Sequence, residues 1–188
     1  MLLEINEKHK NFLRDILPFT KNGILIDTSI MKIFLDGFTK LRFSKIKDEE
    51  YEDLIAIFEY LHVANKWHKF WITPHLFTEI CQHFCQDENR NKRCDFHKIV
   101  EEVMPILKEI QEERNITKDN ILELIDKNKP VIEMGDLSIF IAIENILETK
   151  KKFCVIEKDK DIRDKYIDYP NVLVIDYHKT ILDLKQKG

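Results

Sequence analysis

Four short apolar runs punctuate this chain: Ile24-Leu25-Ile26 closing on Asp27, Phe70-Trp71-Ile72, Phe153-Cys154-Val155-Ile156, and Val172-Leu173-Val174-Ile175. Segments with helical spacing of apolar residues separate them, and no hairpin turn joins any two. Continuous apolar strands of this kind need both faces covered. Strands alternating with helices predict an α/β class with a mostly parallel central sheet and helices on both faces.

Residues 2–20 carry Leu2, Leu3, Ile5, Phe12, Leu13, Ile16 and Leu17 at loosely helical spacing, ended by Pro18 and the turn Lys21-Asn22-Gly23. After the first strand, Thr28 or Ser29 is placed to cap a helix reaching Gly37. An amphipathic helix with acids at its start follows over 48–65. Thr73-Pro74 then supplies a cap and a first-position proline for a helix through Leu76, Phe77, Ile80 and Phe84.

From there to Asn128-Lys129-Pro130 the periodicity stays helical, at Phe96, Ile99, Val103, Ile106, Leu107 and Ile110 and again at Ile121, Leu122 and Ile125. No strand is visible in this stretch. It reads as a helical insert at about 86–130 within a single domain over 1–188, acting as a lid or a partner surface. A further helix from Gly135-Asp136, a charged loop after Ile156 and a terminal stretch over 178–186 complete the pattern.

A length of 188 residues with 44% hydrophobic and 34% charged residues fits one globular domain with a sizeable core. No run approaches the roughly 18 apolar residues of a membrane span, and Met1-Leu2-Leu3-Glu4 lacks the basic start of a signal peptide. Cys81, Cys85, Cys94 and Cys154 are too unevenly placed for a disulfide framework, so a cytoplasmic setting is expected. Four glycines exclude a Gly-x-Gly-x-x-Gly loop and a P-loop, and no Gly-x-Ser-x-Gly elbow exists. The net charge of −4 argues against non-specific coating of nucleic acid. It leaves room for a local basic face, for which Lys40, Arg42, Lys45 and Lys47, interleaved with Phe43, are the candidates; a solvated loop is the plainer account of that run.

Four carboxylates mark where chemistry is expected. Asp27 closes the first strand, Glu79 lies in the Thr73-Pro74 helix, Asp136 opens the helix Gly135-Asp136-Leu137-Ser138, and Asp159 follows the strand ending at Ile156. In open α/β sheets ligands collect outside the carboxyl ends of the strands, so residues this far apart in sequence can converge. Oxygen ligands without thiolate suit Mg²⁺ or Mn²⁺. Taken singly, each acid has a plainer role: Asp136 as a helix N-cap, Glu79 on a helix surface, Asp159 in a loop.

In order along the chain, Leu25-Ile26-Asp27-Thr28-Ser29, Ile72-Thr73-Pro74 through Glu79-Ile80, Gly135-Asp136-Leu137-Ser138 and Val155-Ile156-Glu157-Lys158-Asp159-Lys160-Asp161 resemble the PIN-domain nucleases, the family that includes VapC-type toxins. The resemblance spans about residues 22–176. It implies a three-layer α/β/α sandwich and metal-dependent cleavage of RNA. By motif, Asp27, Glu79, Asp136 and Asp159 take the catalytic places, with Asp27, Asp136 and Asp159 on Mg²⁺ or Mn²⁺ and Ser29 and Asp161 in support. Where the family commonly has Thr or Ser, two residues before the last acid, this chain has Glu157. The toxin form of the family further implies an antitoxin or other protein partner, and a homodimer is compatible with the sequence.

Other functions could draw on the same residues. A catalytically silent PIN-like module for RNA or protein binding keeps the fold without the reaction. An aspartyl-phosphate phosphatase or receiver would use Asp27, but Ser29 stands where the phosphatase pattern has a second Asp. A zinc site from Cys81, Cys85, Cys94 and His97 has the wrong spacing for a ribbon or knuckle, and small core residues explain Cys81 and Cys85 better. Trp67 and Trp71 flank the second strand, where packing is the simpler role and base stacking by Trp67 the alternative.

Overall fold

The structure, a computed structural model, describes residues 15–86, 93–113, 116–117, 119–123, 134–158 and 160–187, with the side chains of 83–86, 93–99, 134, 160, 161 and 187 outside the description. Five strands form one parallel sheet: β1 Ile24–Ile26, β2 Phe70–Ile72, β3 Gln111–Glu112, β4 Phe153–Glu157 and β5 Val172–Asp176, in the order β3-β2-β1-β4-β5. The described helices are α1 over 15–20, α2 Thr28–Thr39, α3 Glu49–Tyr60, α4 Pro74–Gln86, α5 Arg93–Glu109, α6 over 119–123, α7 Met134–Glu148, α8 Lys160–Tyr166 and α9 Tyr177–Lys187. Helices cover both faces, giving a three-layer α/β/α sandwich. Among the described residues, no helix is long and apolar enough to cross a membrane.

Side chains alternate across a strand, so the register assigns each residue a face. Ile24, Ile26, Phe70, Ile72 and Ile156 share one face, on which Phe58 of α3 meets Phe70 at 4.9 Å and Phe34 of α2 meets Trp67 at 4.5 Å. Leu25, Trp71 and Phe153 share the other, opposite Ile146 of α7. Both central strands, β1 and β4, are buried along their whole length, which accounts for their unbroken apolar sequences.

β3 corrects the expectation of a strandless insert. Gln111 and Glu112 are polar and exposed, yet they pair with Trp71 and Ile72, and Glu113 N donates to Ile72 O at 3.0 Å. The same segment puts Val103 and Ile110 into the main core. Residues 86–130 therefore supply an edge strand and core contacts, which a detachable lid would not.

Other differences lie at element ends. Asp27, rather than Thr28 or Ser29, occupies the N-cap position of α2. α2 runs on to Thr39 and passes into a π-helical turn, Lys40–Ser44, closed by Lys45 in the left-handed region (φ 57°), where a solvated loop was expected. The charged loop after β4 contains α8, held by Ile162 and Tyr166, buried residues one helical turn apart.

Asp48 caps α3: Tyr51 N donates to Oδ1 at 3.1 Å, and Lys40 Nζ lies 2.7 Å from Oδ2. The Lys40 hydrogen bond holds the Asp48 carboxyl below its ordinary value of 3.8. A depressed carboxylate contributes stability above its unfolded value and loses it as pH falls through the folded one. Asp48→Ala is thus expected to cost about 1 kcal/mol at neutral pH, the usual worth of an N-cap. Urea unfolding should show that difference undiminished at mildly acidic pH and shrinking only in stronger acid, below the carboxylate's ordinary range.

Candidate functional site

The strand order creates the site's setting. β2 and β3 lie to one side of β1, and β4 and β5 to the other, so the chain leaves β1 and β4 in opposite directions. A crevice opens at the carboxyl ends of such a pair. Asp27 stands there, its N–H bonded to Ile156 O at 3.2 Å and its side chain only 5% exposed.

Asp27 sits at an N-cap, yet its carboxylate makes no capping bond and instead accepts the Ser29 hydroxyl at Oδ2. The neighbouring Thr28 hydroxyl reaches away from its own helix to donate to Glu79 Oε2 of α4 at 2.8 Å. Glu79 in turn lies against Gly135 in the first turn of α7. A β-carbon built on Gly135 would stand 2.8 Å from both Glu79 carboxylate oxygens. The segments bearing Asp27, Glu79 and Asp136 therefore meet at the switch point. Asp136 is the third residue of α7, which begins at Met134, so it is not the N-cap considered from sequence.

A buried hydroxyl chain fixes α4 against α7. Leu76 N donates to Thr73 Oγ1 at 3.2 Å, and Ser138 Oγ donates to Gly135 O at 2.6 Å. The 2.6 Å contact between Thr73 and Ser138 is then donated by Thr73, since the Ser138 proton is already committed. Thr73 and Ser138 are fully buried. On the same helix, His75 precedes Glu79 by one turn, and its buried Nδ1 has no hydrogen-bond partner among the described residues.

Gly135 makes a sharp test. Its obstacle is the far end of a flexible side chain, so Gly135→Ala should displace the Glu79 carboxylate with little effect on folding. On the metal-site expectation drawn from the sequence, the result is a loss of Mn²⁺-dependent cleavage of about tenfold or more, the scale of disturbing an orienting partner at a metal site. Thermal melting of the metal-free variant should stay within about 2–4 °C of wild type, equivalent to roughly 1 kcal/mol for a chain of this size.

The remaining expected residues divide. Asp159 lies outside the described residues, as does the side chain of Asp161 in α8. Among the described residues, no three of His, Cys, Asp and Glu are arranged to hold one metal ion. Of the basic run, Lys40 pairs with Asp48 at 2.7 Å, Arg42 with Glu102 at 3.0 Å and Lys47 with Glu52 at 3.6 Å, while Lys45 donates to Arg42 O at 3.4 Å. Trp67 packs against Phe34 and Phe70. Cys81 is half-buried, and the side chains of Cys85, Cys94 and His97 lie outside the description.

In the sequence Glu157 stands out only as a departure from a hydroxyl. It is fully buried at the end of β4, paired with Asp176 of β5 and one step beyond the Ile26–Ile156 pair, in the same row as Asp27. Arg163 of α8 stands by this row: Nη1 lies 2.5 Å from Asp176 Oδ2, and Nε lies 3.2 Å from Asp164. The Asp164 hydrogen bond foremost, with the fields of Asp176 and Glu157, raises the guanidinium above its ordinary value. An acid ending an otherwise apolar strand was the available signal for Glu157.

No protein-family model matches the sequence, and neither a curated protein nor a solved structure matches the chain.

Proposed function

We propose that the protein is a Mg²⁺- or Mn²⁺-dependent ribonuclease that hydrolyses RNA phosphodiester bonds at the carboxyl ends of β1 and β4. The observation that carries this reading is the meeting of the Asp27, Glu79 and Asp136 segments at the switch point, made through the Thr28–Glu79 bond and the close approach of Glu79 to Gly135. The donors are carboxylates and hydroxyls with no thiolate among them, and His75 Nδ1, without a hydrogen-bond partner among the described residues, lies one turn from Glu79. That set fits a hard divalent cation.

Asp27, Asp136 and Asp159 are the residues that would hold the cation. Because the described acids do not complete a ligand set by themselves, the reading requires Asp159. When bound, the cation offsets negative charge developing on the scissile phosphate and makes an attacking water more acidic. The chain's own groups orient the site: Ser29 holds one Asp27 oxygen, Thr28 holds one Glu79 oxygen, and the Thr73–Ser138 pair sets α7 against α4. Lys40, Arg42, Lys45 and Lys47 would reach RNA phosphates only by leaving their present partners, so their contribution is small and falls with salt.

The resemblance to PIN-domain nucleases favours a toxin-type endoribonuclease controlled by an antitoxin. The deciding experiment incubates a pool of single-stranded RNA with the protein in Mn²⁺, Mg²⁺ or EDTA. Cleavage in metal and none in EDTA is expected. Absence of cleavage in every condition overturns the enzyme, and with Mn²⁺ still bound it leaves the silent RNA- or protein-binding module.

A further inference from the structure

The two edges of the sheet differ. β3 is two polar residues long, and Gln111 turns its amide to His68 O at 2.7 Å, so that edge is short and polar. β5 runs for five residues, Val172-Leu173-Val174-Ile175-Asp176, pairs with β4 on one side and has no described strand on the other. Edge strands are ordinarily blunted by a charge, a proline or a bulge, because their free N–H and C=O groups accept any strand that arrives. Before Asp176, β5 has none of these. Ile167 and Tyr169, in the turn that leads into it, are 65% and 45% exposed.

The ladder fixes which backbone groups face outward. Phe153 N donates to Asn171 O at 3.0 Å, and parallel bonds to one neighbour fall on alternate residues, so Leu173 and Ile175 commit theirs to β4. Val172, Val174 and Asp176 turn theirs to the open side. Val172 N–H is already given to Tyr169 O at 3.1 Å, which leaves the Val172 carbonyl, both groups of Val174 and the Asp176 N–H. Reversed about Val174, that set is its own complement. In an antiparallel pair of β5 strands, Val174 exchanges both bonds with Val174 of the second copy, and each Asp176 N–H donates to Val172 O across the pair.

Charge agrees with the antiparallel order. Asp168 precedes the amino end of β5 and Lys179 follows its carboxyl end, both exposed and neither in an ion pair among the described residues. Antiparallel pairing sets the Asp168 end of one strand beside the Lys179 end of the other, and two-fold symmetry repeats the match. Other flanking charges are engaged: Asp176 and Asp164 with Arg163, Lys165 with Glu144, and Lys152 over the Phe19 ring. The two Asp176 carboxylates would lie at opposite ends of the contact, each held by Arg163 of its own chain.

We propose that β5 is a dimer interface: two copies of this chain join antiparallel at the β5 edge, with the two-fold axis at Val174, and the sheet of one continues into the other. The bonding groups all lie on β5 and need neither metal nor RNA, so the dimer stands or falls apart from the ribonuclease reading.

Sedimentation equilibrium of the full chain should show a mass rising from 22.6 kDa toward twice that value between about 1 µM and 1 mM. Over the same range, hydrogen exchange at the Val174 amide should slow as the dimer forms. Val174→Pro removes the outward N–H from an edge position that tolerates proline, and should weaken the dimer about tenfold or more. Circular dichroism checks that the variant stays folded, and a charge pair tests the same contact without proline. Lys179→Glu sets two acids together at each end and should weaken the dimer about fivefold, and adding Asp168→Lys should restore it. A dimer that neither Val174→Pro nor Lys179→Glu weakens overturns the proposal, because it uses another face. So does a mass of 22.6 kDa throughout, in which case a protected Val174 amide would place a segment of the same chain on the edge.

Discussion

Asp27→Asn and Asp136→Asn are each expected to abolish Mn²⁺-dependent cleavage of single-stranded RNA while leaving the sandwich folded. An amide presents one neutral oxygen where a carboxylate presents two charged ones, so a hard cation loses both charge and a donor. The loss should be about a hundredfold or more, since an outer-shell partner at a metal site alone costs up to about a hundredfold. Asp27→Asn keeps an oxygen for the Ser29 hydroxyl, and circular dichroism should show its helices unchanged. Asp161→Asn should lose less activity than either. Wild-type cleavage by Asp27→Asn or Asp136→Asn would remove the acids from the mechanism.

The second large effect is on stability, and its sign depends on the metal. Without metal, Asp27 is a nearly buried carboxylate in the same row as fully buried Glu157, with Asp176 beyond it. Like charges in a poorly solvated row repel, and Arg163 offsets that repulsion from the β5 side. Replacing Asp27 by Asn removes one charge from the row, and in EDTA the variant should melt above wild type by about 2–4 °C for each kcal/mol relieved. Mn²⁺ should reverse the order. A cation bound only by the folded state stabilises it by about 2.7 kcal/mol at a hundredfold excess over its dissociation constant, roughly 5–10 °C here. Asp27→Asn should gain little of that, and Asp136→Asn is expected to behave alike. Equal Mn²⁺ shifts in wild type and variants would mean that these acids do not hold the cation.

The parts of the fold that could be read from sequence share a physical cause. β1 and β4 are parallel strands buried along their whole length and β2 and β5 partly buried ones, and such burial writes itself into composition as an apolar run between turn residues. Thr73-Pro74 was readable because capping chemistry is local, and the Leu76 N to Thr73 Oγ1 bond bears it out. β3 was not readable: Gln111 and Glu112 become a strand through pairing with Trp71 and Ile72, a partner 40 residues earlier in the chain. α8 failed for a related reason: it is mostly charged, and among its described side chains Ile162 and Tyr166 are the buried ones.

The site divides in the same way. Asp27 and Glu79 could be named because acids at strand ends and in a capped helix follow a sequence pattern. The roles of Thr28, Gly135 and Ser138 are relations between segments, and single-chain spacing carries no trace of them. Glu157 was visible as an unexpected acid, but only the β1–β4 register shows that it shares a row with Asp27.

A crystal structure of the protein soaked in Mn²⁺, with anomalous data collected above the manganese edge, tests the central claim most directly. The account predicts an anomalous peak at the carboxyl ends of β1 and β4, coordinated by Asp27 and Asp136 and completed by Asp159. A peak elsewhere alone, or none at a Mn²⁺ concentration that supports RNA cleavage in solution, would contradict it.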